Sequence, residues 1–134
     1  MRGGIYFHSH FVFHDGEVGE KFIVLLNSPK DREPFLFIKT TSNSNRKPNS
    51  YGCHIGRKVF FLPAGKFFFP KDTWLQLHEV YEFSGVAIVK DGLQKVMEYR
   101  AKFPPQMINE ISNCMIKSSS DDLTPDQVQF LKRR

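Results

Sequence analysis

The sequence predicts a mainly β protein of the α+β class, a small antiparallel barrel with C-terminal helices. Two observations support this prediction. Short apolar runs of strand length, separated by glycine, proline and asparagine turns, fill the first 90 residues. Helical apolar spacing after proline is clearest beyond residue 104. At 134 residues we expect one domain, with a β-barrel core over 1–90 and a helical extension over 91–134.

The first three strands follow from alternation and from apolar runs. Residues 5–13 alternate, so we expect Ile5, Phe7, Phe11 and Phe13 on one face and His8, His10 and His14 on the other. A polar loop over 15–20 precedes the apolar run 22–26, and residues 34–41 predict the third strand.

The later elements are less uniform. Residues 58–62 and 67–69 predict a hairpin around the turn 63–66, residues 73–83 an alternating strand, and residues 86–89 a further strand. Residues 91–100 are ambiguous, because Asp-Gly can close a hairpin whereas the spacing of Leu93, Val96 and Met97 favours a helix. Helices are predicted to begin near Pro105 and, through a capping box, near Thr124.

The positive charge is concentrated in one segment. The net charge is +5, and the stretch between Glu33 and Asp72 has no acidic residue. It contains seven basic residues: Lys39, Arg46, Lys47, Arg57, Lys58, Lys66 and Lys71. Interleaved phenylalanines offer stacking surfaces, so the segment favours nucleic acid as a partner. A solvated basic face over a phenylalanine core is the alternative interpretation.

Composition also limits the expected location and cofactors. Cys53 and Cys114 lack a C-x-x-C arrangement, so we expect reduced thiols, a cytoplasmic location and neither a metal nor another cofactor. The first residues have no signal-peptide pattern. No run approaches the ~20 apolar residues that cross a bilayer, so no membrane association is expected.

Several short motifs carry a resemblance to a known family. They are Gly19-Glu20-Lys21, the run 22–26, Ile38-Lys39-Thr40-Thr41-Ser42, Phe60-Phe61-Leu62-Pro63-Ala64, and 71–74 leading into 77–80. In this order they resemble the PemK and MazF endoribonuclease toxins over about half of the chain, residues 16–83. The resemblance implies an SH3-like barrel, RNA cleavage, and an antitoxin as protein partner; a homodimer is the other assembly considered. It places Lys21, where the family usually has arginine, and Thr41 and Ser42 near the scissile phosphate.

Metal-independent RNA cleavage requires a proton acceptor, a proton donor and cations around the phosphate. His8, His10 and His14 are candidates for proton transfer because histidine titrates near neutral pH. Lys21, Thr41 and Ser42 are candidates for holding the phosphate. The candidates for binding flanking RNA are Arg46, Lys47, Arg57 and Lys58.

Two interpretations without catalysis stay open. The histidines could be solvated on a polar strand face, and Thr41 and Ser42 could simply end a strand through local hydrogen bonds. The chain would then be a noncatalytic nucleic-acid-binding barrel. Alternatively, the phenylalanine-rich segment 60–69 would be a docking surface, and the chain a protein-interaction module.

Overall fold

The computed structural model describes residues 1–45 and 47–134 and has a mixed α+β fold. Within those ranges one antiparallel sheet has eight strands, and the predicted class is therefore confirmed. The strands are β1 Gly4–Val12, β2 Val18–Leu25, β3 Phe35–Thr41, β4 Gly52–His54, β5 Val59–Leu62, β6 Thr73–Gln76, β7 Tyr81–Phe83 and β8 Met97–Lys102. Their order is β4-β5-β6-β3-β2-β1-β8, with β7 also paired to β3. Because β4 and β8 end this order, the described pairing leaves the sheet unclosed.

Three α-helices complete the described part of the chain: α1 Gly85–Leu93, α2 Pro105–Ser118 and α3 Pro125–Lys132. The predictions for the last two are confirmed. Pro105 stands at the first position of α2. At α3, Thr124 Oγ1 accepts from the Gln127 backbone N–H at 3.1 Å, and the Gln127 side chain accepts from the Thr124 N–H at 2.9 Å. None of the described helices is long and apolar enough to cross a membrane.

Apolar side chains cover the sheet on both faces. Alternation along β2 sends Val24 into a cluster that also holds Ile108 and Ile111 of α2, here called the α2-side cluster. Ile23 and Leu25 point to the opposite face, into a cluster with Phe37 and Tyr81 that we call the α1-side cluster. Ile88 of α1 packs against this second cluster. Residues 23–25 of β2 and 36–38 of β3 are thus buried on both faces of the sheet.

The predicted faces of β1 are wrong beyond His8. Ile5 belongs to the α2-side cluster, whereas Phe11 belongs to the α1-side cluster. The β1–β2 register shifts by one residue between His8 and Phe11, and an extra residue in one strand reverses the alternation that follows. His8 is consequently buried, with its ring centroid 5.9 Å from that of Phe11. The three histidines do not share an exposed face.

Four other element predictions are wrong. Residues 86–89 belong to α1, because the Ser84 hydroxyl caps the helix by accepting from the Ala87 N–H at 3.1 Å. Over the ambiguous residues 91–100 the favoured helix extends only to Leu93, where α1 ends, and β8 begins at Met97 and pairs with β1. Residues 67–69 form no strand, since β5 pairs with β4 and β6. Residues 73–83 form two strands separated by a turn at 77–78.

The expectation of reduced thiols is also wrong. Cys53 of β4 and Cys114 of α2 form a disulfide with their Cα atoms 5.6 Å apart. They are separated by 61 positions in the chain, so sequence spacing could not show that folding brings them together. The bond fastens one end of the sheet to the helix that covers it.

Reduction of this disulfide is expected to lower the free energy of unfolding by about 2–4 kcal/mol, because the bond restricts the unfolded chain. Urea titrations with and without dithiothreitol measure the difference. The double variant Cys53→Ser, Cys114→Ser is the control, since its unfolding midpoint should not respond to the reductant. Equal midpoints for the unmodified protein in both conditions would contradict the prediction.

Candidate functional site

The α1-side face of the sheet turns from apolar to polar at one end. Lys21 precedes Ile23 by two residues in β2, and Lys39 follows Phe37 by two residues in β3. Residues two apart in a strand point to the same face, so both lysines continue the face occupied by the α1-side cluster. Thr41 lies two residues beyond Lys39. The sequence thus changes from apolar to charged on two neighbouring strands at the same end of the β2–β3 pair.

Strand register brings these side chains together. Ile23 lies opposite Lys39, and continuing that antiparallel pairing by two residues sets Lys21 beside Thr41. The Lys21 ammonium donates to the Thr40 carbonyl at 2.9 Å. Between β3 and β7, Phe37 lies opposite Tyr81, and the same continuation sets Lys39 beside Glu79.

A cleft of about 530 Å³, the first cleft, opens above this group. It lies beside the hairpin that joins β1 and β2 and beside the turn that precedes β7. Its lining residues are Phe13, His14, Asp15, Glu17, Lys21, Lys39, Thr41, Gln76, Glu79 and Tyr81.

Glu79 contacts four polar side chains in and beside the first cleft. Its carboxylate accepts from Lys39 Nζ at 3.1 Å and lies 2.8 Å from His78 Nε2 and 3.0 Å from His14 Nδ1. The Tyr81 hydroxyl donates to it at 3.3 Å. Burial opposes ionisation, but the hydrogen bond and charge of Lys39, with the charges of His78 and His14, outweigh it and lower the pKa of Glu79. Glu79 is therefore an anion at neutral pH.

His14 is oriented by two neighbours. With Nδ1 directed at the Glu79 carboxylate, the ring donates there and leaves Nε2 as the nitrogen that can accept a proton. The ring lies against that of Tyr81, with centroids 3.9 Å apart. The His14 side chain is 53% exposed and lines the first cleft, where a ligand can reach it. Burial raises the pKa of Tyr81, whose phenol stays neutral.

Lys21 is the second group suited to proton transfer. Burial, and then the positive charges of Lys39 and Lys47, lower the pKa of the Lys21 ammonium. Lys47 is itself held by a hydrogen bond from Nζ to the Asn43 carbonyl at 3.0 Å. One face of the cleft therefore combines an oriented imidazole with a lysine whose proton is released more easily than in water.

A second cleft, of about 360 Å³, borders the first and shares Lys21 and Thr41 with it. Ser42, the third residue predicted to hold a phosphate, lies in this second cleft and is exposed. The structure thus brings Lys21, Thr41 and Ser42 to the boundary between the two clefts. His14 lies in the first cleft.

His8 and His10 have other surroundings. His8 Nε2 lies 2.9 Å from Asp91 Oδ2 of α1, and His8 Nδ1 accepts from the His10 backbone N–H at 3.1 Å. Both ring nitrogens of this buried histidine are therefore engaged, and the contact of Nε2 with Asp91 holds α1 against β1. The exposed His10 places Nδ1 2.8 Å from the Ser9 hydroxyl. Neither histidine lines the first cleft.

The four basic residues predicted to bind RNA separate into two places. Lys47 lies near enough to Lys21 to affect its pKa, and Arg46 falls outside the described residues. Arg57 ends a short turn over 55–57, and Lys58 pairs with Asp122 at 2.8 Å. Lys47 is therefore the member of this set that the structure connects to the cleft.

Sequence reasoning missed Lys39, Glu79 and Tyr81 as site residues. Residues 73–83 were expected to form one strand, which conceals the turn that carries Glu79 to the end of β3. The two-residue spacing of Lys39 from Phe37 and of Glu79 from Tyr81, which puts each pair on one face, is the signal that would have found them. In residues 1–45 and 47–134, His, Cys, Asp and Glu side chains form no group of three that could hold a metal ion.

Glu79 is expected to make stability depend on acid. Its folded-state pKa is below the ordinary value of 4.5, so its stabilising contribution is complete at neutral pH. That contribution declines below about pH 4.5 and is lost as pH falls through the lowered folded-state pKa. Urea midpoints of the unmodified protein and Glu79→Gln should therefore differ most at pH 7 and converge at low pH. A difference independent of pH would contradict this assignment.

Comparison of the chain with protein-family models, with curated proteins and with solved structures finds no match. The chemistry of the site is therefore argued from its own residues and geometry.

Proposed function

We propose that the first cleft binds RNA and cleaves its phosphodiester bond without a metal ion. The observation that carries this proposal is the pairing of an imidazole oriented by Glu79 with the cation Lys21, both lining one open cleft. RNA is favoured over DNA because the attacking group in such a reaction is the ribose 2′-hydroxyl.

His14 is the proton acceptor in this scheme. Glu79 fixes the tautomer with Nδ1 protonated and stabilises the positive charge that the ring gains on accepting a proton at Nε2. The deprotonated 2′-oxygen forms a bond to phosphorus while the bond from phosphorus to the 5′-oxygen breaks. The products are a 2′,3′-cyclic phosphate and a free 5′-hydroxyl.

Lys21 supplies the proton that the departing 5′-oxygen needs. Its lowered pKa favours donation, and its charge stabilises the phosphate oxygens in the transition state. Thr41 Oγ1 accepts from the Asn43 backbone N–H at 3.1 Å, so its own proton can be directed at a phosphate oxygen. The lysine that replaces the family's usual arginine thus gains a role that an arginine, always protonated, performs poorly.

The resemblance to PemK and MazF toxins agrees with this assignment at Lys21, Thr41 and Ser42, and a toxin-like role, an SH3-like barrel, an antitoxin and a homodimer all stay predictions. A cytoplasmic location stays one too. The Cys53–Cys114 disulfide is of a kind that persists in oxidising compartments, so in the cytoplasm the protein would function with that bond reduced.

Cleavage is expected to depend on His14 and Lys21 but not on His10. His14→Ala and Lys21→Ala should each reduce single-turnover cleavage of a long mixed-sequence RNA by about 10²–10⁴-fold, because each removes a proton-transfer group. Lys21→Arg should keep RNA affinity and lose most of the rate. His10→Ala is the control, since its exposed ring lies outside the first cleft. The assay contains EDTA.

Two outcomes would redirect the proposal. Unmodified protein that retards RNA on a gel but leaves it intact would favour the noncatalytic binding barrel, which the electropositive segment supports independently. Protein that neither binds nor cuts RNA would favour the protein-interaction module.

Lys47 is expected to contribute to RNA affinity through its charge. Lys47→Ser should weaken binding and reduce the slope of log affinity against log salt by about 0.7, the value for one phosphate contact on a single strand. Lys132→Ser, which removes an exposed lysine of α3, is the matched control. Filter binding over a range of salt concentrations measures both. Identical slopes for the two variants would show that Lys47 does not contact phosphate.

A further inference from the structure

The second cleft has an aromatic floor. Phe7 and Phe22 lie opposite each other across β1 and β2, with ring centroids 5.2 Å apart. Phe69 is 5.7 Å from Phe22, and the Arg100 guanidinium lies 5.0 Å from the centre of the Phe7 ring. Aromatic rings and an arginine plane are the surfaces on which unpaired RNA bases stack.

The rim of this cleft is polar and exposed. Ser42 and Lys71 stand on it together with Glu20, the one carboxylate among its described lining residues. A carboxylate repels phosphate, so Glu20 does not fit a surface that contacts only the RNA backbone. Its oxygens accept hydrogen bonds and cannot donate them, and they therefore select a ligand group that carries N–H donors.

Lys21 and Thr41 line both clefts and so form the ridge between them. In the cleavage proposed above, on which this step rests, the phosphate lies at that ridge. The 2′-hydroxyl, which belongs to the nucleotide on the 5′ side, faces His14 in the first cleft. The attacking and departing oxygens lie on opposite sides of phosphorus, so the nucleotide on the 3′ side extends into the second cleft.

We propose that the second cleft binds the base of the nucleotide on the 3′ side of the cleaved phosphate and that Glu20 makes it prefer guanine. Guanine presents two adjacent N–H donors, at N1 and N2, which a carboxylate accepts in a bidentate pair. The other bases offer no such pair of adjacent donors on the corresponding edge. The ring stacks on Phe7 and Phe22, while Lys21 neutralises the 5′-phosphate.

The test uses the four nucleoside 5′-monophosphates as probes, with binding measured by calorimetry on the whole chain. 5′-GMP is expected to bind about tenfold more tightly than 5′-AMP, in line with one bidentate contact. Glu20→Gln should bring the two affinities within about twofold, whereas Asp121→Asn, the same charge change at an exposed site outside both clefts, should preserve the difference. Phe7→Leu should weaken all four nucleotides by about fivefold or more.

Cleavage-site mapping separates this proposal from the cleavage proposal. If the unmodified protein leaves RNA uncut but prefers 5′-GMP, and Glu20→Gln abolishes the preference, the guanine subsite is supported and the cleavage proposal is wrong. If the protein cuts RNA without preference for guanine on the 3′ side, and Glu20→Gln leaves the cut sites unchanged, the cleavage proposal stands. The guanine subsite is then wrong. If the thermal unfolding midpoint shows that Phe7→Leu does not fold, Glu20→Gln still tests the subsite, because Glu20 is exposed and its substitution leaves the core unchanged.

Discussion

Residues 23–25 of β2 and 36–38 of β3 are covered by apolar side chains on both faces of the sheet, and this double burial determines where polar chemistry can lie. An unpaired charge in the middle of either strand would lose its hydration without compensation. Charged residues therefore begin where the cover ends, at Lys21 on β2 and at Lys39 on β3. Antiparallel pairing brings both transitions to the same end of the β2–β3 pair, because the start of one strand lies near the end of its neighbour, and Ile23 pairs with Lys39. The clefts follow from that alignment.

The cations gathered at this edge repel one another, and Glu79 is what makes their arrangement stable. The side chain of Lys39 is only 15% exposed and pairs with Glu79, which also orients His14. Among the described residues Lys21 pairs with no carboxylate; the Thr40 carbonyl holds its ammonium, and burial and then the charges of Lys39 and Lys47 lower its pKa. A phosphate bound at Lys21 would supply the missing negative charge. The same repulsion that costs stability in the free protein thus favours an anionic ligand.

The parts of the fold that the sequence predicted are those with strong local signals. The apolar run over 22–26 and the capping box at Thr124 specify a strand and a helix start without help from distant residues. The extra residue in β1 leaves no such signal, and one inserted position moved Phe11 to the other face of the sheet. The apolar run 86–89 is compatible with a strand or a helix, and the cap formed by Ser84 favours the helix. At the site, Lys21 and Thr41 were found through a family pattern, whereas Glu79 depends on a turn and on strand register, which are tertiary facts.

The disulfide and the clefts belong to different parts of the molecule. Cys53 and Cys114 tie β4 to α2, whereas Lys21 and Lys39 are carried by the β2–β3 pair and Glu79 stands just before β7, which pairs with β3. Between them along the chain lie residues 42–45 and 47–51; the Trp74 indole N–H donates to the Pro48 carbonyl and anchors the residues around Lys47 and Pro48. The bond therefore restrains the chain just beyond residue 51 and does not take part in the β2–β3 pairing that builds the first cleft.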